Sequence, residues 1–225
     1  MSVPQRDESD GPWSRLPPPR APIFNAMPPA VLLMALSIVG VSLLGQVWPD
    51  FKRWVFNAAV FIAAEPDAVL PRQPLGPVAP LFLHVYIHFG LFHIAMNLAI
   101  LVATGRAVGE RLGYGWIGSA GFLFLFFACA VSGAALETLF HQGPPTTMGG
   151  ASTAVSGLIA AAGWVRGGWR GMARLALPWI AVNIVIGLIG GAMPIPIGWV
   201  AHIGGTIGGM LLTPLVIAVF AEDGV

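Results

Sequence analysis

Charged residues are scarce in this chain. Only 9% of its 225 residues are charged, while 56% are hydrophobic, and a soluble domain ordinarily carries about 25% charged residues. This scarcity excludes an ordinary water-soluble domain and indicates that the chain folds in lipid. The formal net charge of +1 and the scattered basic residues exclude the basic patch that nucleic acid requires. We therefore expect a lipid bilayer as the surroundings and no nucleic-acid partner.

Cysteine is nearly absent as well. The single cysteine, Cys129, lies in an apolar run and has no partner for an intrachain disulfide or a cysteine metal cluster. Residues 1–28 contain acidic residues and many prolines but no apolar core, which is not the pattern of a cleavable signal peptide. Their composition predicts a disordered cytoplasmic tail. We predict no metal and no cofactor.

Long apolar runs fill the rest of the chain. A bilayer core of about 30 Å needs roughly 20 apolar residues per helix, which leaves room for about six crossings. The predicted fold is an all-α polytopic bundle of six transmembrane helices over residues 29–220, with a short C-terminal tail at 221–225. The second span is predicted from about Leu81 to Ala103. The fourth is predicted to be short and to begin near Ser152, because a Gly- and Pro-rich segment precedes it.

The distribution of basic residues predicts an orientation. If both termini are cytoplasmic, eight of the 11 basic residues lie inside, and Lys52, Arg53 and Arg72 lie outside. The positive-inside rule favours this arrangement. It places Ser152 and the starts of the second and sixth spans toward the outer face. We expect a multi-pass protein of a bacterial inner membrane.

Three motifs bring polar side chains into the predicted spans. In HFGLFHIAMN, His93 and Asn97 are four residues apart and lie on one helix face. In GGAST, glycines precede Ser152, which stands at a helix start with free backbone N–H groups. In AHIGGTIGG, His202 lies near the outer end of the last span. The predicted orientation brings all three motifs to the same side of the membrane.

These residue types have the chemistry of acyl transfer. A serine hydroxyl needs an adjacent base to take its proton as it attacks a carbonyl, and His202 is the available base. The oxyanion then needs preorganised donors, which His93, Asn97 and the Ser152 backbone N–H can supply. No carboxylate is expected within a span to orient the histidine. The sequence therefore predicts a Ser-His dyad whose imidazole is oriented by packing.

Taken together, the three motifs resemble the rhomboid family of intramembrane serine proteases. That family has His-xxx-Asn on its second span, Gly-x-Ser at the head of a short fourth span and Ala-His-xx-Gly-xxx-Gly on its sixth. The matching positions here are His93, Asn97, Gly150, Ser152, Ala201, His202, Gly205 and Gly209. The resemblance implies a serine endopeptidase that cleaves transmembrane segments of other proteins. It makes Ser152 the nucleophile, His202 the base, and His93, Asn97 and Ser152 the oxyanion donors.

Two residues depart from the family pattern. The family usually has glycine directly after the serine and commonly an aromatic residue four positions after it, which packs against the catalytic histidine. Here these positions hold Thr153 and Ser156. We expect Thr153 to crowd the oxyanion site and Ser156 to leave the imidazole without its aromatic surface. These departures support an alternative, a catalytically inactive rhomboid-like protein that binds transmembrane helices.

Structural roles compete with the functional ones. Small residues four positions apart, Gly205 and Gly209 on the last span and Ser152 and Ser156 on the fourth, also permit close helix packing. His84 and His88 are four residues apart, but no third ligand or zinc motif accompanies them, so we favour loop hydrogen bonding over metal. The sequence does not decide the role of Asn183. A transporter or channel is a further alternative, but the spans lack the carboxylates or internal repeat that it would carry.

Overall fold

A computed structural model describes residues 27–190 and 197–222, and these residues are mainly helical. The elements in chain order are α1 (Pro29–Val47), α2 (Pro49–Ala59), β1 (Phe61–Ala63), α3 (Ala79–Leu83), α4 (Leu91–Leu112), α5 (Trp116–Phe140), β2 (Thr146–Met148), α6 (Ser152–Ile189) and α7 (Trp199–Phe220). The predicted all-α polytopic class is confirmed. Most of the predicted N-terminal tail, residues 1–26, and residues 223–225 lie outside the described part.

Five of the described helices are long and apolar enough to cross a membrane: α1, α4, α5, α6 and α7. The 38-residue α6 is interrupted at Gly167 and Gly168, whose backbones are not helical. Gly168 has a φ of 57°, a conformation that glycine adopts without a Cβ penalty. Residues 152–166 form a first arm and residues 169–189 a second. The predicted count of six spanning helices stays a prediction, because five helices in the described part have the length and apolar character of a span and α6 is one of them.

The two arms of α6 run back along each other. A Cβ on Gly163 of the first arm would lie 2.8 Å from the Cα of Met172 in the second arm. Farther along, the indole nitrogen of Trp179 is 3.0 Å from the Ser156 hydroxyl. In each of these two contacts, the two residues are equally far in sequence from the interruption at Gly167 and Gly168. This pairing is that of an antiparallel helical hairpin. This reversal brings the middle of the second arm to the level of Ser152.

The second long helix begins later than predicted. We expected it from about Leu81, but α4 begins at Leu91, and the preceding residues form α3 and a 3₁₀ turn at His84–Tyr86. Gly90 is the residue before α4, and its φ of 159° is not helical. The sequence did not reveal that this segment lies outside the long helix, because a buried loop can be as apolar as a membrane helix. His84 and His88 therefore lie before the spanning helix.

Two short strands tie the loop after α2 to the loop before Ser152. β1 pairs with β2 in antiparallel fashion, with Phe61 opposite Met148 and Ala63 opposite Thr146. The carboxylate of Glu65 also accepts the backbone N–H of Gly143 at 2.9 Å. These contacts fix the segment that enters α6 from two sides.

Glycines allow α7 to lie close to the first arm of α6. A methyl group on Gly209 would overlap the backbone of Gly157, and one on Gly205 would overlap the backbone of Thr153. Such small residues let helix backbones approach closely in lipid, where association depends on van der Waals contact. Because Gly205 is one turn after His202, this contact brings His202 to the level at which α6 begins.

Candidate active site

Ser152 is the first residue of α6. The N-cap position is Ala151, which provides no side-chain cap, so the first backbone N–H groups of the helix have no intrahelical acceptor. Gly150 precedes it with a φ of 126°, and its N–H donates to the carbonyl of His84 at 2.9 Å. The serine therefore stands on a fixed turn beside free N–H donors, at the positive end of a helix dipole.

His93 of α4 lies against this turn. A Cβ on Gly150 would be 2.8 Å from Cε1 and Nε2 of the His93 ring and 3.4 Å from the Ser152 hydroxyl oxygen. The backbone N–H of Phe89 donates to His93 Nδ1 at 3.4 Å. A neutral ring that accepts at Nδ1 carries its proton on Nε2. The ring edge that faces Gly150 and Ser152 is thus a hydrogen-bond donor.

Asn97 lies one turn farther along α4 and is buried. Its Nδ2 donates to the carbonyl of His93 at 2.9 Å. Its Oδ1 is buried without a hydrogen-bond partner among the described residues. The amide is therefore anchored to the same helix turn that holds His93.

His202 of α7 has two specific neighbours on the second arm of α6. Its Nδ1 is 2.8 Å from Oδ1 of Asn183. Its ring stacks on that of Trp179, with centroids 6.1 Å apart and an angle of 28° between the planes. Asn183 and Trp179 hold the imidazole from two directions, and we did not predict either contact from the sequence.

The expectation that Ser156 leaves the imidazole without an aromatic surface is wrong. Trp179 provides that surface from the opposite arm of the hairpin, and its Nε1–H donates to the Ser156 hydroxyl at 3.0 Å. The hydroxyl in turn donates to the carbonyl of Ser152 at 2.7 Å. Ser156 is completely buried, so a larger side chain there would occupy the space that Trp179 uses. The small side chain of Ser156 therefore leaves room for Trp179 to pack on His202.

The side chain of Thr153, which we expected to crowd an oxyanion site, is hydrogen-bonded to the loop before α4. Its hydroxyl lies 3.0 Å from Nε2 of His84, while His84 Nδ1 donates to the carbonyl of Pro80 at 2.9 Å. Burial lowers the pKa of His84 to about 4, so the ring stays neutral. Its Nε2 therefore accepts a hydrogen bond from the Thr153 hydroxyl. Both ring nitrogens of His84 bond to protein atoms, whereas those of His88 have no hydrogen-bond partner among the described residues, so the loop hydrogen bonding that we favoured is found for His84 alone. Thr153 therefore links the loop before α4 to the start of α6.

A carboxylate at the end of α5 binds the start of α7. Glu137 is in the last turns of α5, and its Oε2 accepts the backbone N–H of Ala201 at 3.0 Å. This contact is with the residue before His202 and not with the imidazole itself. Glu137 fixes the start of α7 by binding a free N–H group of its first turn.

Ser152 and His202 are not hydrogen-bonded to each other in this conformation. Among the described residues, the Ser152 hydroxyl makes no side-chain hydrogen bond. Hydrogen bonds between catalytic groups are often formed or shortened only when substrate binds. A separate cleft of about 440 Å³ lies at the reversal between the two arms of α6, lined by Arg166, Arg170 and Arg174. It contains neither a nucleophile nor a base and belongs to the positively charged end of the bundle.

Together these observations define a class: a multi-pass helical membrane protein in which one serine and two histidines from three apolar helices meet near one end of the bundle. Residues 76–219 match the Rhomboid domain family. The match covers more than half of the chain, and the protein belongs to the rhomboid family. Its sequence is also 34% identical over 126 residues to the rhomboid protease GluP of Bacillus subtilis (strain 168). The matched region is 56% of this chain and 23% of GluP.

Proposed function

We propose that this protein is an intramembrane serine endopeptidase in which Ser152 is the nucleophile and His202 the base. The observation that supports this most is the pair of histidines at the start of α6. His93 turns a donor toward the turn at Gly150 and Ser152, whereas His202 is bonded through Nδ1 to Asn183. One ring is suited to bind an oxyanion and the other to accept a proton. Relatedness to a named rhomboid protease adds to this support.

The proposed reaction follows from these roles. The Ser152 hydroxyl attacks the scissile carbonyl carbon while His202 Nε2 takes its proton. The developing oxyanion is bound by His93 Nε2–H, the Asn97 amide and the Ser152 backbone N–H. His202 then gives the proton to the leaving amine, and the C–N bond breaks to leave an acyl-serine. A water molecule, deprotonated by His202, then attacks the ester carbonyl carbon. The bond to the Ser152 oxygen breaks, His202 returns the proton to that oxygen, and the new carboxyl end is released.

The proposed substrates are transmembrane segments of other proteins. A helix hides its peptide bonds in its own hydrogen bonds, so cleavage requires local unwinding, which small or helix-breaking residues favour. We therefore propose a small residue before the scissile bond. A cleavage map with only bulky residues there would contradict this preference. We propose the bacterial inner membrane as the location, with both termini cytoplasmic and Ser152 toward the outer face.

The decisive experiment compares cleavage of a fluorescent transmembrane peptide by purified wild type, Ser152→Ala and His202→Ala in detergent. We expect both variants to lose cleavage. Ser37→Ala and His141→Ala are matched controls, since they remove a serine hydroxyl and an imidazole whose hydrogen-bond partners, such as Met34 and Pro144, are not among the proposed site residues. Both controls are expected to keep wild-type rates.

The same assay separates the enzyme from the inactive helix-binding alternative. If wild type cleaves none of several peptides, and a serine-directed fluorophosphonate labels an active relative but not this protein, the helix-binding function replaces our proposal. The specific observation in favour of that alternative is the absence of a hydrogen bond between Ser152 and His202 in this conformation.

A further inference from the structure

We propose that Asn183 is a positioning residue for His202, which fixes the imidazole in the tautomer that carries its proton on Nδ1. The proposal rests on the proposed function, because it assigns a third member to the same site. It concerns a residue outside the three motifs, 19 positions before His202 on a different helix. The reaction would then depend on an amide where a soluble serine protease uses a carboxylate.

The orientation of the Asn183 amide follows from its two contacts. Nδ2 lies 2.8 Å from the carbonyl oxygen of Trp179, which can only accept a hydrogen bond. The NH₂ group must therefore face Trp179, and Oδ1 must face His202. Asn183 is completely buried, so water does not compete for either contact. The alternative flip would place two oxygens against each other.

The orientation of the amide decides the tautomer of the imidazole. Because Oδ1 is an acceptor only, the His202 Nδ1 that lies 2.8 Å from it must carry a hydrogen. In the neutral ring, Nε2 is then left with a lone pair and can accept the serine proton. The other tautomer would bring two lone pairs together at Nδ1 and leave Nε2 with a proton of its own. That form cannot act as the base for Ser152.

An amide also suits the surroundings better than a carboxylate. Asn183 lies within the apolar second arm of α6, where an ionised side chain is costly. A neutral amide gives the same acceptor geometry without a buried charge. Trp179 packs on the face of the same ring, so one side chain sets the ring plane and the other its rotation and tautomer.

The first test measures steady-state kinetics of Asn183→Ala and Asn183→Asp against wild type, each normalised to folded protein. Asn183→Ala should lower kcat by about 100-fold, the lower range of what a positioned proton-transfer group contributes, with KM nearly unchanged. Asn183→Asp keeps an acceptor oxygen toward His202 but sets its second oxygen against the Trp179 carbonyl, so it should recover only part of that loss. Thr213→Val is the matched control, since it removes a buried side-chain hydrogen bond on α7 three turns away from His202. Equal kcat in Asn183→Ala and wild type would overturn the proposal.

The second test reads the tautomer directly by ¹⁵N NMR of histidine-labelled protein. The chain has five histidines, and the His202 signals are those missing from His202→Asn. Wild type should show a protonated Nδ1 and an unprotonated Nε2, and Asn183→Ala should show a mixture. A wild-type ring protonated on Nε2 would overturn the proposal. This readout does not need turnover, so an inert wild type with the expected tautomer would refute the protease function and leave the Asn183 contact established.

Discussion

Trp179 and Ser156 provide a sharp test of how the imidazole is held. The indole N–H donates to the buried Ser156 hydroxyl at 3.0 Å, and its ring stacks on His202 with a centroid distance of 6.1 Å. Trp179→Phe removes the hydrogen bond but keeps an aromatic ring, whereas Trp179→Leu removes both. Comparing the two substitutions therefore separates the effect of the indole hydrogen bond from the effect of the aromatic surface on His202.

The magnitudes follow from these two contacts. The Ser156 hydroxyl still donates to the Ser152 carbonyl in Trp179→Phe, so no buried group is orphaned, and the loss is that of one neutral hydrogen bond, about 1 kcal/mol. An aromatic stack contributes about 1 kcal/mol beyond its buried area, which corresponds to roughly fivefold in rate. We expect Trp179→Phe to keep most of its activity and Trp179→Leu to lose about fivefold in kcat/KM.

A double-mutant cycle gives the assay. Unfolding free energies of wild type, Trp179→Phe, Ser156→Ala and the double variant would be measured in mixed detergent micelles, with peptide cleavage in parallel. The coupling energy should be about 1 kcal/mol, because the two residues share one hydrogen bond. Strictly additive effects would refute the pairing. So would a Ser156→Tyr variant with undiminished stability, since no space remains beside Trp179.

Three further outcomes are expected. Thr153→Val should lower the unfolding free energy by about 1–3 kcal/mol, because it leaves the buried His84 Nε2 without a hydrogen-bond partner. Thr213→Val should lower it by less, and equal losses in the two variants would argue against a stabilising Thr153–His84 hydrogen bond. Stability should fall as pH drops from 6.5 toward about 4, because the unfolded imidazole takes up a proton that buried His84 resists, and His84→Gln should flatten this slope. Glu222→Gln should cost about 1 kcal/mol, because the carboxylate accepts two N–H groups at the start of α5, and an unchanged melting temperature would exclude that capping role.

The sequence predicted the parts of this protein that depend on neighbouring residues. Runs of apolar residues predicted the all-α membrane class, which the long helices of the structure confirm. Glycines before Ser152 predicted a helix start there, and α6 begins at that residue. The second span was wrongly predicted to begin at Leu81 because the prediction rested on local composition, which does not distinguish a buried loop from a spanning helix. Only the backbone at Gly90 makes that distinction.

The surroundings of the candidate nucleophile and base depend on contacts between distant parts of the chain. His84 meets Thr153 across 69 positions, and Asn183 meets His202 across 19. No local pattern marks these pairs, because which faces of two helices meet is set by the reversal at Gly167 and Gly168 and by the glycine contacts of α7. Sequence alone therefore determined the membrane class and the candidate residues, whose roles remain proposals. Only the tertiary structure decided what holds the imidazole, because the surface and the acceptor come from a different helix.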